Sequence, residues 1–203
     1  MKTSANILKE TATGIQPLAM DDVFLDKRQI FLTEEVTAET AATLLKQLMY
    51  LEQEDSEKEI TLYISSPGGE VTAGLAVYDY IGVMKAPVKT VCIGIAASMG
   101  SILFLAGKER DMLEHTKIMI HDPSFGCGDM RGQKPLQLQK KLEDLMKVRE
   151  VLCDIIAARS KMSQEEVRER TKEDYYMNAQ EALQCGIATN IIKAAGTAER
   201  TDQ

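Results

Sequence analysis

Ile60-Thr61-Leu62-Tyr63-Ile64 is a run of strand formers that stops abruptly at Ser65-Ser66-Pro67-Gly68-Gly69. Beyond the glycines, Leu75, Tyr78 and Ile81 recur at helical spacing over residues 71–84, until Ala86-Pro87 ends the helix. Residues 88–95 then return to strand formers. A strand, a helix and a strand in this order require two parallel strands joined by a right-handed crossover. The stretch therefore reads as the centre of an α/β domain with a mostly parallel sheet.

The same pattern extends outward. Upstream, residues 28–32 read as a short strand, and Thr37 opens a helix with Ala41, Leu44, Leu45 and Leu48 on one face. Downstream, a helix starts at Ser98 or Met99 and runs to Gly107. A turn is expected at 108–111, and residues 116–120 read as a third strand ending at His121. Pro135 suits the first turn of a helix reaching about Ser160, with Leu138, Leu142, Leu145, Leu152 and Ile156 in one stripe. At 1.5 Å per residue it is roughly 38 Å long, so 134–160 is expected to project and its stripe to need a partner. Ser163 and Glu166 match a capping box, residues 179–184 form a short helix stopped by Gly186, and 187–192 close as a strand. Residues 1–22 show no sustained period and read as a flexible arm, 23–193 as one domain, and 194–203 as a tail.

Composition narrows the function classes. The chain has 203 residues, with 24 basic and 31 acidic side chains and a formal charge of −7. This length buries about 70% of the unfolded surface and needs no metal or disulfide staple. An acidic chain without a basic block disfavours nucleic acid and anionic membrane surfaces. Cys92, Cys127, Cys153 and Cys185 are scattered, and the histidines are His115 and His121, so no zinc cage is expected. The polar start has no apolar signal segment, and the uncharged run 91–107 is shorter than the ~20 residues of a membrane span. A reducing cytoplasm fits this usage.

Three features fall at the carboxyl ends of three expected strands: Gly68-Gly69, Ala97-Ser98-Met99-Gly100, and His121-Asp122-Pro123. Ligands of open parallel sheets bind at that edge. Ser98, at a strand-to-helix turn, would expose its hydroxyl beside free helix N–H groups. Serine needs a base to become a nucleophile, and His121 is the candidate at the same edge. Asp122 and Asp174 both stand as possible orienting acids. Amides of Gly69 and Met99 could hold a developing oxyanion. Taken singly, the glycines are a turn, the serine a cap and the histidine a core residue; their convergence on one edge favours a site.

Residues 63–74 (YISSPGGEVTAG), 94–101 (GIAASMGS) and 119–123 (MIHDP) resemble the proteolytic subunit of the Clp protease. The likeness runs from about Leu25 to Ile192, in order. It implies a crotonase-like fold, a serine peptidase, and two stacked heptameric rings enclosing a chamber. It also implies an AAA+ unfoldase partner that consumes the ATP and feeds in unfolded polypeptides, with no cofactor on this chain. Residue by residue, the resemblance makes Ser98 the nucleophile, His121 the base, Asp174 the acid, and Gly69 and Met99 the oxyanion donors. Gly68, Val71 and Pro123 would contact substrate, residues 126–132 would line it, and the helix from Pro135 would interlock the rings.

The chain departs from the family in four places. Asp122 stands where an amide is common, and the 107–121 connection is slightly short. Lys172-Glu173 replaces an acid followed by Arg, which pair between rings, so self-assembly or a dedicated homologous ring is expected. The N-terminal arm lacks a match to the axial-loop segment. Two other readings compete: a largely non-catalytic or partner-dependent ring subunit, and acyl-CoA chemistry on the related fold.

Overall fold

The computed structural model describes residues 6–11, 14–126 and 132–193. The elements are β1 (Asn6–Thr11), β2 (Gly14–Ala19), α1 (Met20–Asp26), β3 (Gln29–Leu32), α2 (Ala38–Glu54), β4 (Ile60–Ser66), α3 (Val71–Val83), β5 (Val88–Ala97), α4 (Met99–Ala106), β6 (Glu109–Leu113), β7 (Lys117–Ile120), α5 (Pro135–Ala158), α6 (Gln164–Arg170), β8 (Tyr175–Asn178), α7 (Ala179–Gln184) and β9 (Asn190–Ile192). The strands β3-β4-β5-β6-β9 are parallel neighbours in that order.

The central strand β5 serves two partners along one edge. Its first half, Lys89 to Cys92, pairs β6, and Ile95 to Ala97 at its far end pair β7. β7 in turn carries β8, antiparallel. Alternate residues of β4 are buried, and α2 adds Ala41, Leu44, Leu48 and Leu51 from one face, capped by the Thr37 hydroxyl. The core centres on α4, whose Leu103, Phe104 and Leu105 have no solvent exposure. Burying each such side chain contributes about 1.5–3 kcal/mol, so this short apolar helix is held by packing on all sides.

Four details differ from the sequence reading. The arm contains the β1–β2 hairpin and α1, so regular structure starts well before residue 23. The turn expected at 108–111 is the strand β6. Its charges misled, because Asp111 is buried against Lys89 at 2.7 Å and Arg110 is also buried. The charged approach to Tyr175-Tyr176 hides the strand β8, and the final strand shortens to Asn190–Ile192. Residues 127–131, most of the expected substrate-lining loop, and the tail 194–203 lie outside the described residues.

Arg110 and Arg159 account for how the lower layer closes. Arg110 donates to the carbonyls of Ile187, Gly107, Gly186 and Arg159 at 2.7 to 3.3 Å, and Arg159 to those of Leu105 and Gly107. These are the carbonyl ends of α4, α5 and α7, where unsatisfied acceptors and the negative ends of three helix dipoles collect. Burial and the neighbouring Arg159 charge hold Arg110 below the usual guanidinium range. The three helix ends stand in for the missing carboxylate.

The helix α5 packs through Leu152, Cys153 and Ile156 near its end, while Leu136, Leu142 and Met146 toward its start are exposed. No described helix is long and apolar enough to cross a membrane.

Candidate active site

Parallel pairing of β4 with β5 and of β5 with β7 brings their carboxyl ends together, so the Gly68 turn, Ser98 and His121 meet at one edge. Asp174 arrives by a different route. In the antiparallel β7–β8 pair Ile120 faces Tyr175, and one further step of that register sets His121 opposite Asp174. The result is a continuous chain of contacts. His121 Nε2 lies 2.9 Å from Ser98 Oγ, and His121 Nδ1 lies 3.0 Å from Asp174 Oδ1.

Ser98 holds φ 51° and ψ −123°, a conformation that non-glycine residues rarely adopt. Such a residue costs about 1–3 kcal/mol, and the surroundings must impose it. Here the Ser98 amide donates to Met119 at 2.9 Å, and its carbonyl takes the Ser101 hydroxyl at 2.7 Å and the Ser101 amide at 2.9 Å. Gly68 packs directly under the turn: a Cβ there would lie 2.6 Å from Ser98 Cβ and 2.8 Å from the Met99 nitrogen. Gly68 therefore supports the serine, whereas Val71 and Pro123 line the adjacent pocket.

Two amides belong to the segments that meet at this turn, those of Met99 and of Gly69, the neighbour of Gly68. Met99 is the first residue of α4, so its N–H has no intrahelical acceptor and lies at the positive end of the helix dipole. Gly69 forms a bridge with Val36 in which the Gly68 carbonyl and the Glu70 amide make the bonds, at 2.7 and 2.8 Å, leaving the Gly69 amide out of the pairing. A Cβ on Gly69 would collide with the Val36 carbonyl. Gly69→Ala is expected to break this bridge and displace the amide, destabilising the chain by about 1–3 kcal/mol. Thermal unfolding checks this; an unchanged midpoint would show that the loop relaxes around the added methyl group.

The pocket beside Ser98 is apolar, lined by Val71, Ile102, Ile120, Pro123, Leu152 and Ile156. The sequence reading assigned Leu152 and Ile156 only to a leucine stripe, because their approach to Ser98 depends on how α5 lies across α4. It also gave no role to Val36 or Arg149. Arg149 donates to Asp122 Oδ2 at 2.7 Å, so Asp122 turns away from His121 and Asp174 is the acid in contact. Lys172 pairs within the chain, with Glu169.

Among the described residues no group of three His, Cys, Asp or Glu could hold a metal ion. Burial pushes the thiols of Cys92, Cys153 and Cys185 up, which keeps them protonated and unreactive. Cys127 lies outside the described residues. A family model described as Clp protease matches residues 16–195, which takes in most of the hairpin strand β2, every element of the large sheet and the whole candidate site.

Proposed function

This chain belongs to the Clp protease family, and from that premise we propose that it is a serine endopeptidase with Ser98 as nucleophile, His121 as base and Asp174 as orienting acid. The observation that carries the reading is the unbroken contact from Ser98 through His121 to Asp174, at 2.9 and 3.0 Å. As Ser98 Oγ attacks the scissile carbonyl, His121 Nε2 takes its proton and later gives it to the leaving amine. Asp174 holds the imidazole orientation and stabilises the imidazolium. The Gly69 and Met99 amides receive the tetrahedral oxyanion, and water releases the acyl-enzyme. Each step uses this chain's own groups, so the reading requires no cofactor on it.

The assembly belongs to the same proposal. The exposed Leu136, Leu142 and Met146 of α5 support contact between two stacked heptameric rings, of this chain alone or with a homologous subunit. An AAA+ unfoldase would supply unfolded polypeptide and consume ATP, in the cytoplasm. The test is reaction of the purified protein with a serine-directed fluorophosphonate, mapped by mass spectrometry alongside a native mass measurement. The expected result is one adduct per reactive chain, on the Ser98 peptide, in a ring-sized particle. A folded particle without that adduct would sink the peptidase reading and favour a ring subunit that supports an active homologue.

A further inference from the structure

The residue after the base is bound into a charge network. The Asp122 amide donates to the Thr171 carbonyl at 2.7 Å, and Thr171 opens the segment that ends in Asp174. The Asp122 carboxylate takes Arg149 Nε at 2.7 Å through Oδ2, while its buried Oδ1 has no hydrogen-bond partner among the described residues. Arg149 Nη2 donates to the Arg168 carbonyl on α6 at 3.1 Å, and Nη1 reaches Glu150 at 3.3 Å. Arg168 closes the circuit with bonds to Glu150 Oε2 at 3.1 and 2.7 Å. One guanidinium, its side chain 14% exposed, thus grips both the segment behind His121 and the helix that leads to Asp174.

We infer that Arg149 is a positioning residue for the Ser98–His121–Asp174 set, acting through Asp122: it holds the base and the acid in register and cancels the carboxylate next to the imidazole. The inference rests on the peptidase reading above. Among the described residues Asp122 depends on Arg149 for its only side-chain partner, and a half-buried carboxylate left alone is costly. It also favours the charged imidazolium, which cannot accept the Ser98 proton. Removing the carboxylate and keeping the guanidinium has the opposite electrostatic sign.

The other charges facing His121 leave this sign unchanged. Asp174 contacts it from the loop before β8. Glu150 on α5 and Arg168 on α6 neutralise each other at 2.7 Å. The α4 turn brings uncharged Ser98, and α3 brings Val71, preceded by the exposed Glu70. Arg149 and Asp122 are therefore the pair whose separation changes the field at the ring.

The experiment reads the two histidines of the chain directly. Diethyl pyrocarbonate reacts with imidazole in its neutral form and not with imidazolium, and peptide mass spectrometry separates His121 from the exposed His115, which serves as an internal control. The pH midpoint of His121 modification is expected to rise by about half a unit to one unit in Arg149→Gln and to fall by a similar amount in Asp122→Asn. Arg149→Lys and the double variant Arg149→Gln/Asp122→Asn are expected to return close to the parent midpoint, with His115 constant throughout. Fluorophosphonate labelling of Ser98 near pH 7 should fall about tenfold in Arg149→Gln and recover in Arg149→Lys. A single His121 midpoint shared by all variants, or shifts of the same sign in the two single variants, would overturn the inference. Absent Ser98 labelling in the parent protein would instead overturn the peptidase reading, and the His121 midpoints would still judge Arg149.

Discussion

Ser98→Ala is expected to reduce peptide hydrolysis by about 10⁵-fold or more and to leave the fold unchanged. Among the described residues the hydroxyl's one side-chain hydrogen bond is to His121 Nε2 at 2.9 Å, so alanine removes the attacking atom and leaves the base without its partner. The backbone bonds that hold the turn survive the change. The amide still donates to Met119, and the carbonyl still accepts from Ser101. The positive φ of this position strains alanine and serine alike. The residual rate should come from the Gly69 and Met99 amides and from substrate binding. Hydrolysis of a fluorogenic peptide, with sizing and circular dichroism of the variant, provides the check. Activity within tenfold of the parent in a correctly sized particle would exclude Ser98 as the nucleophile.

Arg110→Leu is expected to destabilise the chain by about 3–5 kcal/mol without touching the chemistry. Leucine fills part of the space but leaves the carbonyls of Ile187, Gly107, Gly186 and Arg159 without their donor. Each buried carbonyl that loses its partner costs about 1–3 kcal/mol, and the losses share one site, so they do not add in full. Relief of repulsion from Arg159 works the other way. That gain is small because the ends of α4, α5 and α7 already offset much of the positive charge. Arg110→Lys keeps the charge but not the planar fork, and should lie between parent and leucine variant. Thermal unfolding should show the leucine variant lower by roughly 10 °C, by the usual 2–4 °C per kcal/mol for a domain of this size. A loss under about 1 kcal/mol would show that water replaces the guanidinium.

The predicted strand-helix-strand unit and the edge holding Gly68, Ser98 and His121 match the structure because local patterns specified them. β4 and β5 carry apolar residues at strand spacing, and Pro87 marks the junction before β5. β6 escaped the same reading because its buried Arg110 and Asp111 find partners far along the chain, in Ile187 and Lys89. Periodicity has no way to register an ion pair across a sheet. β8 was hidden for a similar reason: it follows a charged segment, and its antiparallel pairing with β7 is what defines it.

Asp174 marks the same boundary within the site. The residue order made both Asp122 and Asp174 available, and the family resemblance preferred Asp174. Their separate roles follow from the β7–β8 register, which aims Asp174 at Nδ1, and from Arg149, which draws Asp122 the other way. The parallel α/β core, the serine turn and the glycines beneath it are legible in the residue pattern, since these rest on backbone preferences and contacts between neighbouring segments. The tertiary structure alone decided how Arg110 joins three helix ends, which residues of α5 line the pocket, and how one guanidinium reaches both sides of the candidate site. Those arrangements depend on charges and side chains meeting across 20 to 80 residues of chain, and no local preference encodes where such partners meet.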